Sequence, residues 1–457
     1  MNVVRSFEDG SRFQPPADPG NRKSIVLLGG AEAQFAELRQ ALLLVRPTWS
    51  VRWAPNGGQS CSRDVLDPSD AVVVHENLGP VPETRSALES RFAHSSVIFL
   101  SELFTSRLAQ GSSGPGLASA KRNPVELAES VILELFMREW KRQPAILSLL
   151  AKLKTLPTLP QLHLQITREL QSPECSLERV SQYVRQDPVM AAKFLQVINS
   201  ATMGLAYIVN DPAEAVMFLG AGRTRALVLM AGVFSQFENN SSEDVSFEQL
   251  WKHSLQVASL AQGVALMETE DPKLAEAAYT AGLLHDIGKL MMAANIPAMY
   301  ATARRLKQHK RVQQTEAEMT ILSTNHAELG ACLLGSWRLP MRIVEAVAWH
   351  HKPSRGFDRG FSVLTAVHAA NVMAHESGDE DRDSPSCPKF DVFYLAKLGL
   401  ANRRNKWREA CGVPLKDEGE TFETQLRRRI ESEQRSRADS QKTRPAQWES
   451  SFGGPCA

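Results

Sequence analysis

Apolar positions follow two different rhythms along this chain. Up to residue 100 they come in short unbroken runs: S-I-V-L-L at Ser24–Leu28, then residues 51–54, 71–74 and V-I-F-L at 97–100. Runs of this length are those of strands buried on both faces. Helical spacing over residues 33–45 separates the first two runs, and residues 124–140 form a long amphipathic helix. Strands alternating with helices predict a doubly wound α/β unit on a parallel sheet.

Beyond residue 140 apolar residues recur every three or four positions, which predicts an all-α region. Helices are expected at 161–170, 176–185, 188–200, 213–219, 223–237, 247–267, 272–284, 297–308, 315–337, 341–350 and 361–375, with a loop at 238–246. Ser176 before Leu177 and Asp187 before Pro188 are start signals, and Gly288 reads as a C-terminal cap of the helix before it. Residues 389–407 hold enough apolar side chains to fold back on this region. Residues 1–22, rich in Pro, Gly and Asp, read as a flexible lead-in. Residues 406–457 read as a charged, disordered tail, and the arginines at 427–429 as a solvated charge run. The expected division is therefore 1–22, an α/β unit at 23–140, a helical unit at 141–405, and the tail.

Composition narrows the partners more than the fold. A chain of 457 residues holds two or three domains at about 150 residues each. Its net charge of +1 supplies no global field to draw in nucleic acid or a membrane, and no basic, aromatic-laced strand or recognition helix stands out. Cys61, Cys175, Cys332, Cys387, Cys411 and Cys456 show no C-x-x-C spacing, so they read as thiols of a reducing compartment. The first residues are charged where a signal peptide needs an apolar run. No uninterrupted apolar stretch reaches the ~18 residues of a membrane span. A soluble, cytoplasmic protein is expected.

The candidate chemistry centres on T-A-G-L-L-H-D-I-G-K-L at 280–290, where an apolar helical run ends in the pair His285–Asp286. An imidazole offers one nitrogen to a metal, and a carboxylate binds one cation or bridges two. His253 lies upstream, His326 downstream, and His350 and His351 end R-I-V-E-A-V-A-W-H-H-K-P; Asn371 follows in V-L-T-A-V-H-A-A-N-V-M-A. This order resembles that of the HD phosphohydrolase superfamily: one His, then His-Asp, further His residues, and usually a final Asp.

The text around it is similar to the HDOD family, the signalling output branch of that superfamily. The likeness is carried by L-P-T-L-P at 156–160, D-P-V-M-A-A-K-F-L-Q-V-I-N-S-A at 187–201, A-V-M-F-L-G at 215–220, the His-Asp stretch, and W-R-L-P through H-H-K-P at 337–353. It implies that His253, His285 and Asp286 are core metal ligands, with His326, His350 and His351 serving a second ion or the substrate. It also implies that Lys289 would hold a phosphate and act with Asp286 if the protein is a catalyst. The ion would be divalent Mn, Fe, Mg or Zn. Asn371 stands where the superfamily has its last Asp, and an amide oxygen is the poorer ligand, so the cluster reads first as a relic with its histidines hydrogen-bonded into the core, and next as a sparsely occupied metal site without turnover. The segment after His351 lacks the G-Y-P triplet of the cyclic di-GMP phosphodiesterase branch.

Residues 23–140 resemble, more faintly, a response-regulator receiver. Gly29, Gly30 and His75 stand where a receiver keeps its metal-binding and phosphate-accepting acids, while Ser101 and Lys121 match its other site positions. Without carboxylates a hard dication has no oxygen ligands, so this unit is expected to be non-phosphorylatable and to serve docking or dimerisation. The reading that follows is a bacterial signal-transduction output protein, not an enzyme, acting through contact with other signalling proteins and able to form a homodimer. The alternative is a metal-dependent phosphohydrolase acting on a nucleotide or cyclic dinucleotide. The motif N-S-A at 199–201 and tryptophans Trp251, Trp337 and Trp349 read as packing elements.

Overall fold

The computed structural model describes residues 23–28, 32–46, 48–54, 70–74, 88, 96–100, 124–152, 161–172, 175–200, 203, 205, 207–237, 246–356, 360–377 and 386–414. Gly29, Gly30, His75, Ser101, Lys121, the stretch 156–160, the lead-in 1–22 and the arginines at 427–429 lie outside them.

Strands β1 (Ser24–Leu28), β2 (Ser50–Ala54), β3 (Ala71–Val74) and β4 (Ser96–Phe99) form a parallel sheet in the order β2-β1-β3-β4. Ile25 is level with Val51 and Ala71, and Val72 with Val97. Alternate side chains point to opposite faces of a strand. Ile25, Leu27, Val73 and Ile98 therefore join the main core with α1 (Glu32–Val45) and α2 (Pro124–Arg142), while Val26, Leu28, Val72 and Val97 form a second, smaller cluster. Both faces are covered, which is why the strands read as unbroken apolar runs.

The remainder of the described chain is helical: α3 (Pro144–Lys152), α4 (Gln161–Gln171), α5 (Leu177–Gln186), α6 (Pro188–Ile198) and α7 (Pro212–Phe237) come first. Ser176 Oγ caps α5 by accepting from Arg179 N–H, and Asp187 Oδ1 caps α6 by accepting from Val189 and Met190 N–H. Asn199 ends α6, and its side-chain amide both donates to the Val209 carbonyl and accepts from its N–H, at 2.8 Å each. Gly220, at φ 71°, kinks α7, so two expected helices run on from one another. Pro212–Phe234 is long and apolar enough for a span, at 23 residues and a mean hydropathy of 1.4. It is kinked, and most of its apolar residues lie in the core.

Helices α8 (Phe247–Glu268), α9 (Pro272–Leu284), α10 (Ile287–Asn295), α11 (Pro297–Lys310), α12 (Gln314–Leu322), α13 (His326–Ser336), α14 (Met341–Trp349) and α15 (Val363–Ser377) build the central bundle. The single helix expected at 315–337 is two helices. Ser323 takes a left-handed conformation at φ 56°, and Asn325 restarts the chain by accepting from Glu328 N–H. Gly288 does not cap a helix but sits inside α10. A Cβ there would lie 1.9 Å from the His326 carbonyl oxygen, so its bare backbone is what lets α10 approach α13.

Short helices α16 (Val392–Lys397) and α17 (Arg404–Ala410) fold back onto the bundle. Trp407 is fully buried and donates to Glu268, and Arg408 forms a two-pronged pair with Glu376 at 2.9 Å per bond. The expected tail from residue 406 thus starts too early. Two apolar or paired side chains, Trp407 and Arg408, hold that helix in place.

Replacing Gly288 with Ala forces the α10 and α13 backbones apart. The expected loss is about 1–3 kcal/mol, the usual range for overpacking, read from denaturant unfolding of the full chain. Unchanged stability would refute this account of the close approach.

Candidate metal centre

Four helices and one helix junction deliver the predicted ligands to one place. His253 projects from α8, His285 and Asp286 from the α9–α10 junction, His326 from the first turn of α13, His350 and His351 from the end of α14, and Asn371 from α15. The chain turns at the junction because α9 stops at Leu284 and a new helix starts after Asp286. Asp286 occupies the N-cap of α10 yet accepts no capping hydrogen bond from it. Its oxygens are thereby left for the histidines, while the positive end of α10 favours its charge.

Two groups of ligand atoms, each within 4.8 Å of one another, share Asp286: His253 and His285 on one side, and His326, His350 and His351 on the other. Asp286 Oδ2 lies 3.2 Å from His285 Nε2 and 3.7 Å from His253 Nε2. Oδ1 lies 3.2 Å from His326 Nε2 and 3.9 Å from His350 Nε2. His326 Nε2 is also 3.1 Å from His351 Nε2, and His253 Nε2 is 3.2 Å from Asn371 Oδ1. Lys289, one turn along α10, places its ammonium 2.6 Å from Asp286 Oδ2.

The tautomers follow from what the other ring nitrogens touch. His285 Nδ1–H donates to the Gly282 carbonyl at 2.7 Å, and His350 Nδ1–H to that of Val347 at 2.8 Å. Carbonyls only accept. In the neutral ring Nε2 is therefore a bare lone pair, and in both residues it is buried with no hydrogen-bond partner among the described residues. His326 Nδ1 is held by Glu318 at 2.7 Å. Anchoring one ring nitrogen on a carbonyl or carboxylate and aiming the other inward is how metal-binding histidines are oriented. His368 is the internal contrast, with Nδ1 bonded to the His350 carbonyl and Nε2 accepting from Asp391 N–H. It is a satisfied core histidine. The buried His/Asp cluster fits a metal.

Burial opposes ionisation of Asp286, but His285 and the Lys289 ammonium outweigh it and hold the carboxyl well below its usual range. Burial pushes His253, His350 and His351 well below the usual imidazole value. His326 goes the other way: burial disfavours its charge, yet the Glu318 carboxylate beside it raises its pKa.

Two residues of the cluster escape a motif-based reading. Glu318 is fully buried eight positions before His326 and accepts from that residue's backbone N–H as well as its ring, and no local pattern marks it. His375 packs its ring 4.7 Å from that of His253, and burial lowers its pKa to about 4. It lies four residues after Asn371, so helical spacing alone could have found it.

The depressed imidazoles set a pH dependence. A His whose folded pKa lies below 6.5 binds its proton more readily when unfolded, so folding stability is lost as pH falls from 6.5 toward that lower value. With His375 near 4 and His253, His350 and His351 also lowered, the melting temperature is expected to fall between pH 6.5 and 4. His326 opposes this weakly. Thermal melts of metal-stripped protein across that range check it; a flat profile would contradict the neutral, buried state of these rings.

Comparison with known proteins places the centre in a family. Residues 156–353 match the model of the HDOD domain. An uncharacterised protein of Treponema pallidum (strain Nichols) is 24% identical over 225 residues, which is 49% of this chain and 43% of that protein. The chain thus spans less than half the length of that relative. Among solved structures, an HDOD domain protein of unknown function from Geobacter sulfurreducens shares 22% identity, covering 67% of this chain and 95% of that one, at a TM-score of 0.46. A candidate phosphohydrolase from Shewanella amazonensis shares 25%, covering 59% and 96%, at 0.44. The family match spans His253, His285, Asp286, His326, His350 and His351, and residues 156–353 of this chain are an HDOD domain.

Proposed function

We propose that this chain is a cytoplasmic signalling output protein whose HDOD domain holds divalent metal at the buried centre and acts by contact with other signalling proteins. One observation carries the metal reading. With neutral rings, His285 Nε2 and His350 Nε2, which have no hydrogen-bond partner among the described residues, would turn lone pairs on the buried Asp286 carboxylate. Such a pair repels unless a cation or an extra proton intervenes. His253, His285 and Asp286 would hold one ion, and Asp286 with His326, His350 and His351 a second. A bound dication supplies Lewis acidity and compensates the carboxylate.

Action by contact is supported by how closed the centre is. His285, Asp286, His326 and His350 are at most 1% exposed, and the partly open flank is formed by His253 and Lys289, at 19% each. Outside the centre, Tyr207, Ile208, Met217 and Phe218 are each at least 47% exposed, and the Tyr207 and Phe218 rings lie 6.3 Å apart. An apolar surface of this kind suits a protein partner. The N-terminal sheet supports a receiver-like unit, since its parallel order β2-β1-β3-β4 is that of the first four strands of flavodoxin-like folds. With Gly29, Gly30 and His75 in place of acids, that unit would serve docking or dimerisation.

A second reading, metal-dependent hydrolysis of a phosphoester, is favoured by Lys289. Its ammonium sits beside Asp286 at the partly open flank, where it would meet a phosphate oxygen.

Elemental analysis of the intact protein, with hydrolysis of bis(p-nitrophenyl) phosphate and cyclic dinucleotides in manganese, separates these. Expected are retained metal lost in Asp286→Ala, and no turnover. Turnover abolished by Asp286→Ala would install the second reading, and a chain that binds no dication would overturn both. Metal uptake should also displace protons from the ligand set, seen as a dependence of the calorimetric binding enthalpy on buffer ionisation enthalpy. A buffer-independent enthalpy would contradict the extra proton in the metal-free centre.

A further inference from the structure

The two halves of the centre are unequal. Asp286 with His326, His350 and His351 makes a group of four ligating residues, whereas His253 and His285 with Asp286 make a group of three. The α15 residue facing that smaller group is Asn371, which brings a neutral amide and no charge. Four residues on, and so on the same face of α15, stands His375. Its ring is 4.7 Å from the His253 ring, tilted by 50°. It is partly buried, and neither ring nitrogen has a hydrogen-bond partner among the described residues. His368, one turn before Asn371 on the same helix, has both nitrogens bonded. An imidazole left free beside an incomplete ligand set is a different object from one packed for structure.

We propose that His375 is a further protein donor to the ion held by His253, His285 and Asp286, standing one helical turn along α15 from the carboxylate that position 371 lacks. The inference rests on the metal-holding reading above and deepens it. His375 lies just outside the three-residue group, and no hydrogen bond need break for its ring to turn inward about χ1 and χ2. The consequence is a change in donor chemistry. Three imidazoles and one carboxylate make a nitrogen-rich set, which suits Mn, Fe, Co or Zn dications and disfavours Mg, an oxygen-seeking ion. The lost negative charge is not recovered; the donor number is.

The test uses the full chain, stripped with chelator and titrated with Co²⁺, Zn²⁺ and Mg²⁺ by calorimetry, with Co²⁺ visible absorption recorded in parallel. His375→Ala is expected to weaken one class of Co²⁺ and Zn²⁺ site by at least the roughly 10- to 100-fold that losing a mere supporting partner costs. It should also alter the Co²⁺ spectrum and leave the other class unchanged. Adding Asn371→Asp to His375→Ala should restore affinity and shift preference toward Mg²⁺. If wild type binds metal and His375→Ala matches it in affinity and spectrum, His375 is no ligand and the metal reading still stands. If wild type binds none, both fall. Circular dichroism and melting of the metal-free variants establish that each is folded, and His375→Gln, closer in size, provides the same comparison should the alanine variant fail to fold.

Discussion

A single ionised carboxylate, Asp286, sits at 1% exposure in the middle of a helical bundle, and the rest of the helical unit is arranged to tolerate it. An isolated buried charge of this kind is costly. It is offset here from several directions: the Lys289 ammonium at 2.6 Å, the N-terminus of α10, and imidazoles from three more helices. The same residue is withheld from ordinary helix capping, so its oxygens remain available. This one placement makes the ring orientations, the break between α9 and α10, and the fit to a dication parts of one arrangement.

Delivering the imidazoles requires unusually close helices. Gly288 and Gly330 face one another between α10 and α13, where a Cβ on the first would meet the His326 carbonyl and a Cβ on the second would press on Ile287 at 3.0 Å. His326 is then fixed from behind by Glu318, a buried carboxylate on α12 that takes both its backbone and its ring hydrogen. Removing that acceptor would strand two buried donors, and the turn at Ser323 with the cap at Asn325 separates the two helices that make this contact. Local backbone breaks thus serve ligand placement.

The α/β unit attaches directly behind this centre. Phe136 and Trp140 of α2 pack against Trp349, the residue before His350, with ring centroids 6.2 and 6.4 Å away. Arg338 on the bundle side pairs with Glu134 of α2 at 2.7 Å. The packing between the two units therefore ends beside two candidate ligands.

Much of this was legible from residue order. Buried strands announce themselves as unbroken apolar runs because both faces of the sheet are covered, and the order His253, His285–Asp286, His326, His350–His351 is a chemical pattern that survives in one dimension. Caps such as Ser176 and Asp187 were equally visible, because they act within three residues of themselves. Tertiary structure alone decided the rest. Gly288 looked like a cap, since sequence shows only that a glycine follows a helix and not that another backbone lies 1.9 Å from its missing Cβ. Glu318 joined the centre because the turn after its helix folds it back onto His326, eight residues on. Which nitrogen of each histidine faces inward depends on carbonyls and carboxylates that only the fold brings within bonding distance.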